Sequence, residues 1–162
     1  MIRKMHDSDG PRVLEIYKKG LETRNATFET EAPDWKHWDL AHHHFCRFVY
    51  EENAMIIGWG ALAPVSARSC YEGVTEISIY IDTDHLGKGI GSKLMKAIID
   101  ESEKNGIWTL YASIFPENVA SHKLHLSHGF KEVGIRKRIA RLDGVWRDTL
   151  ILERRSNKVG II

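Results

Sequence analysis

TEISIYIDTDHLGKGIGSKLMKAIID, residues 75–100, changes its period halfway along. Ile77, Ile79 and Ile81 alternate with Glu76, Ser78 and Tyr80, the two-residue repeat of a strand with one apolar face. From Gly91 onward Leu94, Ala97, Ile98 and Glu101 share one helical face, with Lys93, Lys96, Asp100 and Lys104 elsewhere, until Asn105 and Gly106 stop the helix. Between strand and helix stand Gly87, Gly89 and Gly91 on alternate positions. Glycine lets a backbone approach a ligand closely, and a helix start presents unpaired amides and the positive end of a dipole. The stretch therefore reads as an anion site suited to a phosphate. The nucleotide P-loop pattern is absent, because no Gly-x4-Gly-Lys-Ser/Thr occurs. The dinucleotide fingerprint fails too, since Leu94 stands where its third glycine is needed and no acid follows about twenty residues on.

Working outward, IRKM reads as a short strand, and Asp7 or Ser8 can cap a helix that has Pro11 in its first turn and ends near Arg24. After the loop NATFETEAP, Trp35, Trp38, Leu40 and Phe45 recur at helical intervals and predict a second helix. CRFVYEENAMIIGWGAL predicts a hairpin around Glu51, Glu52 and Asn53. WTLYASIF predicts a buried strand, and residues 118–128 a short helix ended by Gly129. Phe130 to Ile139 and Val145 to Leu152 can pair around Asp143 and Gly144. The sum is one α/β domain with a mixed sheet, residues 1–154, followed by a polar tail over 155–162.

Composition narrows the function classes. With 23 basic and 22 acidic side chains in 162 residues, no bulk field favours a nucleic acid or an anionic membrane. No leader pattern or spanning segment is visible, so a cytoplasmic location is expected. Cys46 and Cys70 lie far apart without metal-type spacing, and are expected as thiols without a disulfide. The histidines at 42–44 and at 122, 125 and 128 raise a zinc reading, but the chain offers no paired-cysteine motif, and no metal is expected.

Leu86-Gly87-Lys88-Gly89-Ile90-Gly91 resembles the Gln/Arg-x-x-Gly-x-Gly/Ala motif of the GNAT superfamily of acyl-CoA N-acyltransferases, with Leu86 departing at the first position. Asn118-x-x-Ser121-x-x-Leu124-His125-x-x-x-Gly129-Phe130 resembles that superfamily's second motif, with His125 in place of its usual tyrosine. Ala26 to Glu31, Arg68-x-x-Tyr71-x4-Glu76 and Trp146-x-Asp148 further resemble its phosphinothricin and methionine sulfone/sulfoximine acetyltransferase branch. The resemblance implies a single-domain GNAT fold with a mixed, mostly antiparallel sheet flanked by helices, acetyl-CoA as acyl donor, a small amine acceptor and a homodimer. It implies that the amides of Gly87, Lys88, Gly89, Ile90, Gly91 and Ser92 hold the coenzyme's diphosphate. Ile79, Tyr80 and Ile81 would meet the pantetheine through their main chain, and Asn118 and Ser121 would contribute from the second motif. Phe28, Glu29 and Thr30 would wall the acceptor pocket, with Arg68 and Tyr71 meeting the acceptor's acid group, for which a guanidinium fork is suited.

Such a reaction needs a proton acceptor, because an aliphatic amine is mostly protonated near neutral pH and attacks a thioester only when neutral; a positioned base is worth about 10²- to 10⁴-fold. Glu76 is the candidate, with His125 as stabiliser or acid for the departing thiolate, or as an alternative base. Oxyanion donors would come from main-chain amides of the strand that carries Glu76. An acyl-CoA-binding regulatory module without turnover, and an acetyltransferase for protein N-termini, stand as alternatives.

Overall fold

The computed structural model describes all 162 residues. Strands β1 (Ile2–Lys4), β2 (Phe48–Glu52), β3 (Met55–Pro64), β4 (Val74–Ile81), β5 (Thr109–Ile114), β6 (Lys131–Leu142) and β7 (Val145–Arg155) form one sheet in the order β1-β2-β3-β4-β5-β7-β6. Every neighbouring pair is antiparallel except β4 with β5. Helices α1 (Gly10–Glu22), α2 (Trp35–Ala41), α3 (Ile90–Lys104) and α4 (Val119–Ser127) flank it. This is the expected mixed, mostly antiparallel sheet in a single domain.

The middle of the sheet is buried from both sides, while β6 is exposed along most of its length. On one face α3 lays Ile90, Leu94, Met95, Ile98 and Ile99 against Ile57, Leu62, Ile77, Leu110 and Leu152. On the other, Val13 and Ile16 of α1 meet Trp38, Val49, Trp59 and Ala61. At roughly 1.5–3 kcal/mol for each large apolar side chain removed from water, these two layers fix β3 and β4 as the centre of the molecule. The β2–β3 and β6–β7 turns both place two residues at positive φ, Asn53 and Ala54 at 52° and 60° and Asp143 and Gly144 at 49° and 80°. That is the hairpin turn whose twist matches the strands it joins.

Local reading erred at several edges. The second helix stops at Ala41 and does not reach Phe45, because His42 is extended and the Arg47 guanidinium gathers the carbonyls of Asp39, His42 and His43. The first helix begins at Gly10 after a 3₁₀ turn over Asp7–Asp9, and neither Asp7 nor Ser8 caps it; Asp9 instead binds Arg3 and the His6 amide. The buried face of α3 includes Met95, Ile99 and Ser102, while Ala97 and Glu101 are only half-buried, since the helix packs into the sheet over a broader stripe than the expected one. Strand β6 reaches Leu142, with irregular register near Glu132 and Arg136, and β7 runs three residues past Leu152. Beyond Arg155 the chain folds back: the Ser156 amide donates to the Trp108 carbonyl at 2.8 Å and Lys158 pairs with Glu103.

Candidate active site

β4 and β5 pair through only three residues each, Val74 with Thr109, Thr75 with Leu110 and Glu76 with Tyr111. Past Glu76 each strand follows its other neighbour, β4 staying on β3 as far as Ile81 and β5 staying on β7 as far as Ile114. The two strands therefore part at Glu76, and each turns a row of main-chain donors and acceptors toward the wedge between them. Ile79, Tyr80 and Ile81 lie on the wedge-forming part of β4. The Tyr80 side chain leaves the wedge, packing between Tyr17 and Trp59 with ring centroids 4.9 Å from each.

Glu76 stands at the apex, beside a cavity of about 100 Å³. Thr27 and Phe28 of the loop after α1, Ser113 and Phe115 at the end of β5, and Thr149 of β7 line that cavity with it. Phe28 packs edge-on to Phe115, centroids 4.9 Å apart. Burial raises the Glu76 carboxyl above its ordinary range, with no cation or hydrogen bond opposing it. A carboxyl shifted toward neutrality at the edge of a small cavity has the properties of a general base. Ser113, Phe115 and Thr149 were missed in the sequence; their strands were visible, but not which alternating face would meet Glu76.

At the far end of β4 the loop has the geometry of an anion cradle. Gly87 and Gly89 have φ of 78° and 71°, and a Cβ on either would meet nothing within 4 Å. None of the six amides from Gly87 to Ser92 finds an acceptor within the protein; the first to do so is that of Lys93, on the Gly89 carbonyl at 3.3 Å. Gly91 differs, since it lies inside α3 and a Cβ there would come 3.2 Å from Leu124 Cδ2, so it serves the packing of α3 on α4. Leu86 is 63% exposed, and Lys88 sits 3.5 Å from the Glu52 carboxylate. Asp82 pins the loop's entrance. Its carboxylate, 1% exposed, accepts from Lys19 Nζ at 2.7 Å, from the Asp84 amide at 3.1 Å and from Arg12. Burial alone would raise this group, but those donors outweigh it and bring it down to about 2. Nothing local in the sequence points to Asp82, whose cations come from 63 and 70 residues away.

The second motif is first of all a helix start. Asn118 caps α4 by accepting the Ser121 amide at 3.2 Å, and its Nδ2 donates to the Asn25 carbonyl at 3.2 Å. His125 is 6% exposed; its Nδ1 donates to the Ser121 carbonyl at 2.7 Å, and burial lowers its basicity. It does not line the Glu76 cavity. His128 instead reaches the start of α3 beside the glycine loop, with Nε2 3.0 Å from Ser92 Oγ. Glu29 and Thr30 are exposed beside Phe28 and outside the cavity lining. Arg68 and Tyr71, stacked on each other at 5.6 Å, are exposed and likewise outside it. They belong to the segment before β4, and that segment's 3₁₀ turn over Ser69–Tyr71 carries them to the surface. Cys46 is buried and Cys70 exposed, both free. The histidines at 42–44 separate, His42 stacking on Trp38, His43 on Phe45, and His44 lying 3.9 Å from Asp39. No three His, Cys, Asp or Glu side chains converge as metal ligands.

The family model described as acetyltransferase (GNAT) matches residues 11–130. A phosphinothricin N-acetyltransferase of Alcaligenes faecalis is 30% identical over 96% of this chain and 82% of its own length. A Salmonella typhimurium chain solved with its cofactor acetyl-CoA superposes with a TM-score of 0.88 at 25% identity, covering 96% of this chain and 92% of that one. A ribosomal-protein-alanine N-acetyltransferase of Brucella melitensis superposes with a TM-score of 0.90 at 28% identity, covering 96% and 99%.

Proposed function

The chain belongs to the acetyltransferase (GNAT) family, and on that premise we propose that it transfers acetyl from acetyl-CoA directly to the primary amine of a small amino acid or analogue of the phosphinothricin or methionine sulfone type. The parting of β4 and β5 at Glu76, with unpaired loop amides one strand-length away, carries this reading. The free amides of residues 87–92 suit the charge and shape of a diphosphate. Main-chain groups of Ile79 to Ile81 suit an extended pantetheine arm, and Asn118 and Ser121, at the start of α4, serve the coenzyme from the second motif. Glu76 takes the proton of the acceptor ammonium, and amides of β4 facing the wedge donate to the oxyanion as the nitrogen attacks. His125, neutral and committed to Ser121, holds the end of α4, and thiolate departure proceeds without a proton from it. Phe28 walls the acceptor, Glu29 and Thr30 border its entrance, and Arg68, which no carboxylate pairs, serves the acceptor's acid group together with Tyr71.

The decisive assay is release of free thiol from acetyl-CoA with methionine sulfone, methionine sulfoximine, phosphinothricin and a peptide beginning with alanine. Turnover with the small amino acids and not with the peptide is expected. Preference for the peptide would support the second reading, for which the likeness to the Brucella melitensis chain speaks; the small cavity under residues 26–28 speaks against it. Coenzyme binding with no thiol release across the panel would favour a regulatory module.

The same reading includes a cytoplasmic homodimer. Val133, Ile135, Ile139, Val145 and Trp146 of the β6–β7 hairpin are exposed apolar side chains, and β6 is a long strand at the sheet's edge. Edges of this kind are ordinarily covered, and a two-fold axis covers both copies at once. Sedimentation should give a dimer and Ile135→Lys a monomer; a monomeric wild-type chain contradicts this. A cytoplasmic location fits the free, exposed Cys70, and cell fractionation checks it.

A further inference from the structure

Residues 24–28 belong to no helix or strand, yet they carry Thr27 and Phe28 to the Glu76 cavity. One guanidinium grips them at two points. Arg147 Nη1 donates to the Arg24 carbonyl at 2.6 Å, and Nη2 lies 3.4 Å from Asn25 Oδ1 and 3.2 Å from Glu117 Oε2. The same group stacks on Phe115, its central carbon 3.7 Å from the ring centroid, and Phe115 meets Phe28 edge-on. Asn118 adds a single bond, to the Asn25 carbonyl, and the Arg24 side chain a surface pair with Asp143. Arg147 thus joins β7, the β5–α4 turn and the loop after α1, two positions along β7 from the cavity residue Thr149.

We propose that Arg147 is a positioning residue of the acceptor site: a latch that holds residues 24–28 over the cavity, so that Phe28 walls the acceptor and Glu76 stays shielded from water. The proposal rests on the reading of this cavity as the acceptor site. Only a planar fork can serve two loop groups, an acid and an aromatic face together, so a lysine keeps the charge and loses most of the latch. The latch acts on the acceptor and leaves the coenzyme loop, which lies beyond the other end of β4, untouched.

The test compares wild type with Arg147→Met, Arg147→Lys and Asn25→Ala, measuring steady-state kinetics, coenzyme affinity, unfolding midpoint and amide hydrogen exchange. Arg147→Met should lower kcat/KM for the acceptor about tenfold, mostly through KM, while coenzyme Kd stays within about twofold. Amides 24–30 should exchange faster, with Arg147→Lys intermediate and Asn25→Ala showing a smaller change in the same two readouts. Unchanged acceptor KM with unchanged loop exchange overturns the proposal, as does a loss shared equally by coenzyme affinity and global stability. Failure of the wild type to acetylate any amine would remove the acceptor assignment; faster exchange confined to residues 24–30 would still uphold the latch, and undisturbed protection there would still refute it.

Discussion

Glu76→Gln is expected to lower kcat by about 10²- to 10⁴-fold while coenzyme affinity is retained, because the amide keeps the shape of the side chain and cannot take a proton. The pH profile gives the same residue a second signature. Burial disfavours the charged carboxylate and raises the group. The active form is the deprotonated one, so wild-type kcat/KM should rise with pH along an acid limb displaced above the ordinary glutamate range, and the residual activity of Glu76→Gln should lack that limb. Stability has the opposite sign. A carboxyl whose folded pKa exceeds its unfolded one contributes stability at low pH, fully present below the unfolded value and lost as pH rises through the folded value. Near neutrality Glu76→Gln should therefore unfold no earlier than wild type, which separates lost chemistry from lost structure. An unchanged rate would put the base elsewhere.

Gly89→Val should raise coenzyme Kd by about 10- to 100-fold, the consequence of roughly 1–3 kcal/mol of strain at a left-handed position. Gly89 holds φ of 71° as the residue before α3, and a branched side chain is strongly disfavoured there. A valine either keeps that conformation and raises a side chain into the open space over the amides, or shifts φ and turns the amides of residues 88–91 away from one another. In both cases the coenzyme is affected before the acceptor, so acceptor KM measured at saturating coenzyme should change little. Gly91 substitutions read out differently, because a Cβ there meets Leu124 first and loosens α3 from α4. Equal coenzyme affinity in Gly89→Val and wild type would detach this loop from the diphosphate.

The strand, glycine loop and helix of residues 75–100 were legible because each is a local matter: side-chain alternation, positive φ and a change of period. The hairpins at Asn53 and Asp143 were legible for the same reason. The parting of β4 from β5 was not, since nothing within either strand records where pairing ends; that depends on β3 and β7 pulling on their outer edges. Long-range charge compensation hid Asp82 and Arg147, each an ordinary charged residue until its partners arrive from distant segments. Phe45 misled because its spacing from Trp38 is helical, and only the capture of three carbonyls by Arg47 shows why the helix stops short. His125 and Glu76 were read from patterns of similar weight. Their surroundings differ: one ring is bound to its own helix, and one carboxyl is left unpaired beside a cavity.

The central claim is that main-chain donors at residues 87–92 clasp the coenzyme's diphosphate so that its acyl carbon lies in the wedge beside Glu76. Titrating isotope-labelled protein with CoA while following its amide resonances tests this directly. The largest shifts should fall on residues 87–92 and continue along Ile77 to Ile81, and Gly89→Val should need more CoA to reach them. Saturable binding that left those amides still and moved a different surface would contradict it.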